Sequence, residues 1–341
     1  NEGLLAEYGD AVMPRTAEWD SRWWSPIINA EHLAMRDRAG VVDLTAFSLF
    51  DVIGPKALDG VQRLCVQNMD VKLGRVVYTP VLSALGGFKA DLTVMRLGEN
   101  HFRVVTGGAH GNLDRKWFAD HLPEGAYVSD QTSAFTTIGL WGPRARDILG
   151  ALSDDDISHT GFPFSSCRVI EAGGLGVLAS RISYVGELGW ELYVPMESGA
   201  RLWHALLEAG APHGAVPVGI GVYGTTGRME KGYRAYGTEL DAEHTVVEAG
   251  MTRPKVKDVD FIGREAYLRQ REEAPPAVMC TLTVDDHTSS TGEKRYMLGG
   301  EPILTPDGAP LVDAHGRRSY VTSAGAGPSV GKHLLMSYLP P

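Results

Sequence analysis

The sequence predicts an α+β protein of more than one unit, and three observations carry that expectation. The chain has 341 residues, roughly twice the length at which one hydrophobic core is the rule. Hydrophobic residues make up 43% and charged residues 22%, ordinary globular values that exclude a disordered chain or a coiled coil. Glycine contributes 41 residues with no G-X-Y period, well above the usual share of about 7%, so turns and hairpins are numerous.

Taken in order, Trp19, Trp23 and Trp24 form an aromatic entry, followed by a helix over 31–38 and strands over 41–44 and 49–53. Pro55 near a first turn, with Leu58, Val61, Leu64 and Cys65 on one face, predicts a helix over 55–66. Three antiparallel strand runs fill 76–106, separated by Leu85-Gly86-Gly87 and by the hairpin signal Gly98-Glu99-Asn100. Asn112 reads as the N-cap of a helix through residue 122. The pattern then restarts: a strand over 135–141, a helix from Gly142-Pro143 to 152, strands over 177–183 and 190–195, and a helix over 199–209. Neither half shows the βαβα alternation of a doubly wound sheet. A helix over 263–271 runs into Glu272-Glu273-Ala274-Pro275-Pro276, the best boundary in the chain, and only short strands and turns follow it.

Charge and motifs narrow the function. The net charge of −10 has the wrong sign for phosphate neutralisation, so nucleic acid is not the expected partner. Cys65, Cys167 and Cys280 are odd in number and far apart, which fits a reducing compartment. No apolar run reaches the ~18 residues of a membrane helix and no secretory signal is seen, so the expected location is cytoplasmic, with no membrane partner. Asn1 stands where an initiator Met is expected, and a trimmed chain or a piece of a longer one is anticipated. Gly219-Ile220-Gly221-Val222-Tyr223-Gly224 matches the dinucleotide fingerprint literally, with Glu239 or Asp241 about twenty residues on. The two prolines just before it argue against the strand that fingerprint requires, so close helix packing is the expected role of these glycines. The scattered histidines predict no metal site.

Four stretches together resemble the tetrahydrofolate-dependent aminomethyltransferase family, which has the fold of the glycine cleavage T-protein. They are Gly40-Val41-Val42-Asp43-Leu44-Thr45-Ala46-Phe47, Gly86-Gly87-Phe88-Lys89-Ala90-Asp91-Leu92-Thr93-Val94, Tyr184-Val185-Gly186-Glu187-Leu188-Gly189-Trp190-Glu191 and Phe261-Ile262-Gly263-Arg264-Glu265-Ala266. The C-terminal stretches Val321 to Gly325, Val330-Gly331-Lys332 and Tyr338-Leu339-Pro340 are similar to the family's terminal barrel. Arg228-Met229-Glu230-Lys231-Gly232-Tyr233-Arg234-Ala235-Tyr236-Gly237 is most like the folate half of dimethylglycine and sarcosine dehydrogenases. The resemblance implies three domains. A folate-binding α+β subdomain spans 1–130, a second α+β subdomain 131–274 and a small C-terminal β-barrel 275–341, the first two free to interchange segments.

It also implies the ligand, tetrahydrofolate. A pterin presents N3–H beside a 2-amino group, a donor pair that a carboxylate accepts side by side. Glu191 lies on the strand Trp190 to Val194, sharing a face with Tyr193; by itself it reads as a solvated glutamate, and the resemblance makes it the pterin acceptor. Asp91 follows a Gly-Gly turn that permits close backbone approach to a ligand. It is either a turn aspartate or, by the resemblance, the catalytic carboxylate beside the reacting folate nitrogens. Tyr78 and Tyr184 match cavity tyrosines, with core packing as the alternative for each. Arg228 matches a family arginine whose carboxylate partner is left open. Arg253, Lys255 and Lys257 either meet the folate glutamate tail or form a solvated charge run. Phe47, Trp23 and Trp24 are the candidate substrate contacts, the tryptophans equally well inter-domain packing.

The leading expectation is a tetrahydrofolate-dependent methyltransferase or aminomethyltransferase, with no flavin and no metal, acting on a small methylated substrate as a demethylase. A second version partners a separate flavin amine dehydrogenase and forms 5,10-methylenetetrahydrofolate. The third is a non-catalytic folate-binding maintenance protein, against which the lack of a signature cysteine and the presence of Asp91 both argue.

Overall fold

A computed structural model describes residues 1–15 and 25–341. Trp19, Trp23 and Trp24 lie outside the described residues. Helices α1 (Glu2–Tyr8) and α2 (Pro26–Asp37) lead into β1 (Gly40–Asp43) and β2 (Ser48–Ile53). After α3 (Ala57–Leu64) come β3 (Val76–Leu82), β4 (Phe88–Gly98) and β5 (His101–Thr106), then α4 (Gly111–His121) and β6 (Tyr127–Asp130). These strands, β1 excepted, form a five-stranded antiparallel sheet in the order β3-β4-β5-β2-β6.

Strand alternation decides what each face of that sheet does. Ala90, Leu92 and Val94 of β4 join Phe50, Val61, Leu64, Phe102 and Phe118 in a core under α3 and α4. The intervening Asp91, Thr93 and Met95 therefore face the other way. Asp91 sits inside β4, three residues past its start. The glycine turn before β4 serves the protein's own backbone: Gly86 has φ +86°, and a Cβ on Gly87 would lie 2.1 Å from the Ala242 carbonyl oxygen. The expected approach of this turn to a ligand is thus corrected; it is an approach to residue 242.

The second sheet has six strands, ordered β11-β1-β7-β10-β9-β8: β7 (Phe135–Trp141), β8 (Cys167–Ala172), β9 (Leu175–Ser180), β10 (Gly189–Pro195) and β11 (Val216–Val218), with β1 between β11 and β7. Only the β1–β11 pair is parallel among the described strands. Leu140, Trp190, Leu192 and Val194 pack against α5 (Ala145–Leu152) and α6 (Gly199–Gly210). The remaining faces of the two sheets meet through Leu49, Val76, Met95, Val105, Cys167 and Tyr193.

Helix α7 (Arg264–Glu272) precedes β12 (Val278–Val284), β13 (Ser323–Gly327) and β14 (Lys332–Leu339), an antiparallel sheet ordered β12-β14-β13. Helix α4 is flanked by His110 rather than capped by Asn112. The fingerprint stretch is not a nucleotide loop. Gly219 N–H donates to Glu31 Oε2 at 2.8 Å, and a Cβ on Gly221 would stand 3.0 Å from Ile28. Pro217 is tolerated because β11 is an edge strand of three residues.

Candidate active site

A cavity of about 880 Å³ opens where the outward face of β3–β4 meets β10, the turn after β9 and the segment 223–253. Its size suits a drug-sized organic ligand. The β3–β4 register sets Tyr78 opposite Thr93, diagonal to Asp91 on the same face. The Tyr78 hydroxyl donates to Asp91 Oδ2 at 2.7 Å. Tyr78 is 41% exposed, and that exposure is toward the cavity. Burial pushes the Asp91 carboxyl up to about 6, the Tyr78 hydroxyl offsetting part of the rise.

Across the cavity stands Glu191 of β10, 3% exposed. Tyr193 donates to its Oε2 at 2.5 Å, as their shared strand face requires. Burial raises Glu191 to about 7. Among the described residues no cation pairs with it, so its hydrogen-bonding capacity is open to a ligand.

Aromatic rings complete the wall. Tyr184 stacks on Tyr233 with ring centres 5.8 Å apart and meets Tyr223 at 5.0 Å, and Phe47 meets Tyr223 edge-on at 5.7 Å. The Tyr184 hydroxyl donates to the Arg234 carbonyl at 2.6 Å, so this tyrosine contributes its ring to the wall. Tyr223 belongs to a π-helical turn, Val222–Gly227, a wide turn found often at functional sites.

Of the residues expected at the site, Tyr78, Asp91, Tyr184, Glu191, Phe47 and Arg253 line this one cavity. Trp23 and Trp24 lie outside the described residues. Arg228 does not line the cavity: its guanidinium pairs with Glu239 at 2.9 Å and donates to Ser323 and the carbonyls of Gly224 and Tyr233. Lys257 turns inward to the carbonyls of Gln62, Cys65 and Gln67 at the C-terminal end of α3, where a cation complements the helix dipole. Lys255 is exposed.

Sequence reasoning passed over Tyr223, Tyr233, Arg234 and Tyr236, all in the cavity wall. Three of them stand in the run Tyr233-Arg234-Ala235-Tyr236, which the sequence had singled out only for its likeness to the folate half of the dehydrogenases. Tyr223 was hidden within a glycine motif whose reading concerned only its glycines.

Three carboxyls line the cavity, partly buried Asp91 and buried Glu191 each accepting from a tyrosine hydroxyl and buried Asp114 accepting from Thr106, and together with the tyrosine rings they suit a flat organic ligand rich in N–H donors. A pterin has that chemistry. Among the described residues no cluster of three or more His, Cys, Asp or Glu forms a metal site.

The GCVT N-terminal domain family matches residues 5–256, and the chain belongs to this family of tetrahydrofolate-dependent aminomethyltransferases. It is similar to the aminomethyltransferase of Halalkalibacterium halodurans, 33% identical over 301 residues that cover 86% of this chain and 80% of that protein. The aminomethyltransferase of Halothermothrix orenii is 30% identical over 323 residues, 93% of this chain and 85% of that one. The glycine cleavage system aminomethyltransferase T of Bartonella henselae shares the fold, with a TM-score of 0.75 and 24% identity over 92% of this chain and 81% of that structure. The expected α+β T-protein-like arrangement is therefore the one observed, and the chain is a transferase that uses tetrahydrofolate. No described helix is long and apolar enough to cross a membrane.

Proposed function

We propose that the protein moves a one-carbon unit from a small methylated or aminomethylated amine to tetrahydrofolate, with Asp91 as the proton-handling group and Glu191 as the pterin acceptor. The observation that carries this reading is the pairing of Asp91 with Tyr78 in the same cavity as a counter-ion-free Glu191. When bound, the folate supplies a ring nitrogen able to accept the carbon.

The chain's own residues do the rest. Glu191, ionised, would hold the donor edge of the pterin, with Tyr193 keeping one oxygen in place. The rings of Tyr184, Tyr223 and Tyr233 would flank flat groups and exclude water. Tyr78 fixes Asp91 through Oδ2, leaving Oδ1 to take a proton or to balance a developing cation. A carboxyl raised to about 6 is a stronger base than an ordinary aspartate and is still mostly ionised at neutral pH.

The test is direct. The protein is incubated with tetrahydrofolate and a panel of N-, O- and S-methylated substrates, and the folate product is identified by mass. 5-Methyltetrahydrofolate marks methyl transfer; 5,10-methylenetetrahydrofolate marks aminomethyl transfer when an aminomethylated donor is supplied without oxidant, and the partnered version when a methylated amine yields it only with a dehydrogenase added. Failure to bind reduced folate, together with no product from any substrate, overturns the proposal.

A further inference from the structure

Two arginines six residues apart in sequence have opposite surroundings. Arg228 is 4% exposed and its guanidinium is satisfied by a carboxylate, a hydroxyl and two carbonyls. Arg234 lines the cavity, and its guanidinium makes one hydrogen bond, from Nη1 to the Gly232 carbonyl at 2.5 Å. Its Nε is buried without a partner, and among the described residues no carboxylate pairs with it. Its Nη2 packs on Gly250, where an added Cβ would stand 3.2 Å away, three residues before Arg253 in the same cavity wall.

A partly buried guanidinium with unused donors calls for an anion, and its planar fork matches a carboxylate. The cavity's own carboxyls do not fill that need. Asp91 is held by Tyr78, Glu191 by Tyr193 and Asp114 by Thr106, and none of the three forms a hydrogen bond or ion pair with Arg234. Without a ligand anion the buried Nε of Arg234 stays unpaired, and a hydrogen bond left unmade there carries a cost.

We propose that Arg234, with Arg253 near it, is the residue by which this enzyme selects a ligand bearing a carboxylate. The inference rests on the folate reading of the cavity and deepens it. The carboxylate has two sources, the glutamate tail of the folate or the acid group of a methylated amino acid. Arg234 therefore separates tailed from tailless folates, or methylated amino acids from simple methylamines.

The experiment compares wild type, Arg234→Gln and Arg234→Lys. Calorimetry gives the affinity for 5-formyltetrahydrofolate and for the corresponding tetrahydropteroyl amide, which lacks the glutamate and carries no carboxylate. Steady-state assays give KM for dimethylglycine and for dimethylamine-type substrates. Loss of a charge-assisted pair predicts that Arg234→Gln weakens the carboxylate-bearing ligand roughly 10- to 100-fold and leaves its carboxylate-free counterpart unchanged, with Arg234→Lys partly restored. An effect on the folate pair alone assigns the tail; an effect on the KM pair alone assigns the substrate. If Arg234→Gln leaves both discriminations intact, or weakens both members of each pair equally, the inference is wrong while the folate reading stands. A wild-type protein that binds neither reduced folate overturns the folate reading and this inference with it.

Discussion

Arg228 and Glu239 form an ion pair 2.9 Å apart in which the glutamate side chain has no exposed surface and the arginine almost none. Glu239 also accepts from Thr238, Thr322 and the Ala235 N–H, while Arg228 reaches Ser323 on β13. The pair thus joins the π-helical turn, the Tyr233–Tyr236 wall and the C-terminal sheet. Removing one partner strands the other charge, so Glu239→Gln should cost about 3 to 5 kcal/mol. Urea denaturation reads this; a loss below about 1 kcal/mol would mean that the arginine finds water or another partner.

Asp91→Asn should keep the fold and lower kcat by about 10² to 10⁴, the usual worth of a general acid–base group. The wild-type kcat should fall as pH drops through about 6, where Asp91 takes up its proton, and that limb should be missing in the variant. A variant within twofold of wild type would return Asp91 to a structural role.

Glu191→Gln should weaken reduced-folate binding by about 1.5 to 3 kcal/mol, the range for a hydrogen bond to a charged group. Because burial holds the free carboxyl near 7, the wild-type affinity should rise between pH 6 and 8 as the proton leaves, and the Gln variant should be flat. Calorimetry across that range is the check; parallel pH dependences would remove Glu191 from the pterin edge.

Both raised carboxyls also shape stability. A folded pKa above the unfolded value means that the native state binds more protons, so stability falls as pH climbs from the ordinary carboxylate range through about 6 for Asp91 and about 7 for Glu191. Asp91→Asn and Glu191→Gln should each melt higher than wild type at pH 8, with the gain vanishing near pH 4. Equal melting temperatures at pH 8 would show that the cavity solvates these groups fully.

Lys257→Met should loosen α3, since it removes the donor shared by three backbone carbonyls. A loss of about 1 to 3 kcal/mol is expected from leaving such acceptors unpaired. Hydrogen exchange of the α3 amides localises it; uniform protection in both proteins would refute the anchoring role.

The parts of the site set by strand period were legible in the sequence. Glu191 with Tyr193, and Asp91 against a buried Leu92, follow from alternation alone once β10 and β4 are recognised. Their meeting in one cavity was legible only through the family resemblance, because it depends on how two sheets face each other. Arg228 was misplaced because a buried arginine is defined by its partner, and Glu239 becomes that partner only after the 231–239 turn closes. Strands β6, β8 and β11 were missed: three or four residues carry too little pattern in β6 and β11, Pro217 argued against β11, and β8, Cys167–Ala172, mixes charged with apolar residues at the outer edge of its sheet. The π-helical turn that delivers Tyr223 has no local sequence signature, being held by the packing around it.

The position of β1 between β11 and β7 has a consequence for how the molecule is made. During synthesis residues 40–43 emerge long before 135–141 and 216–218, their neighbours in the finished sheet. The first sheet can pair while its own strands leave the ribosome, but β1 must wait for about 95 further residues before β7 can pair with it and for about 175 before β11 covers its other edge. Assembly of the cavity between the sheets is therefore a late event, and severing the chain near residue 130 would part β1 from the sheet it completes.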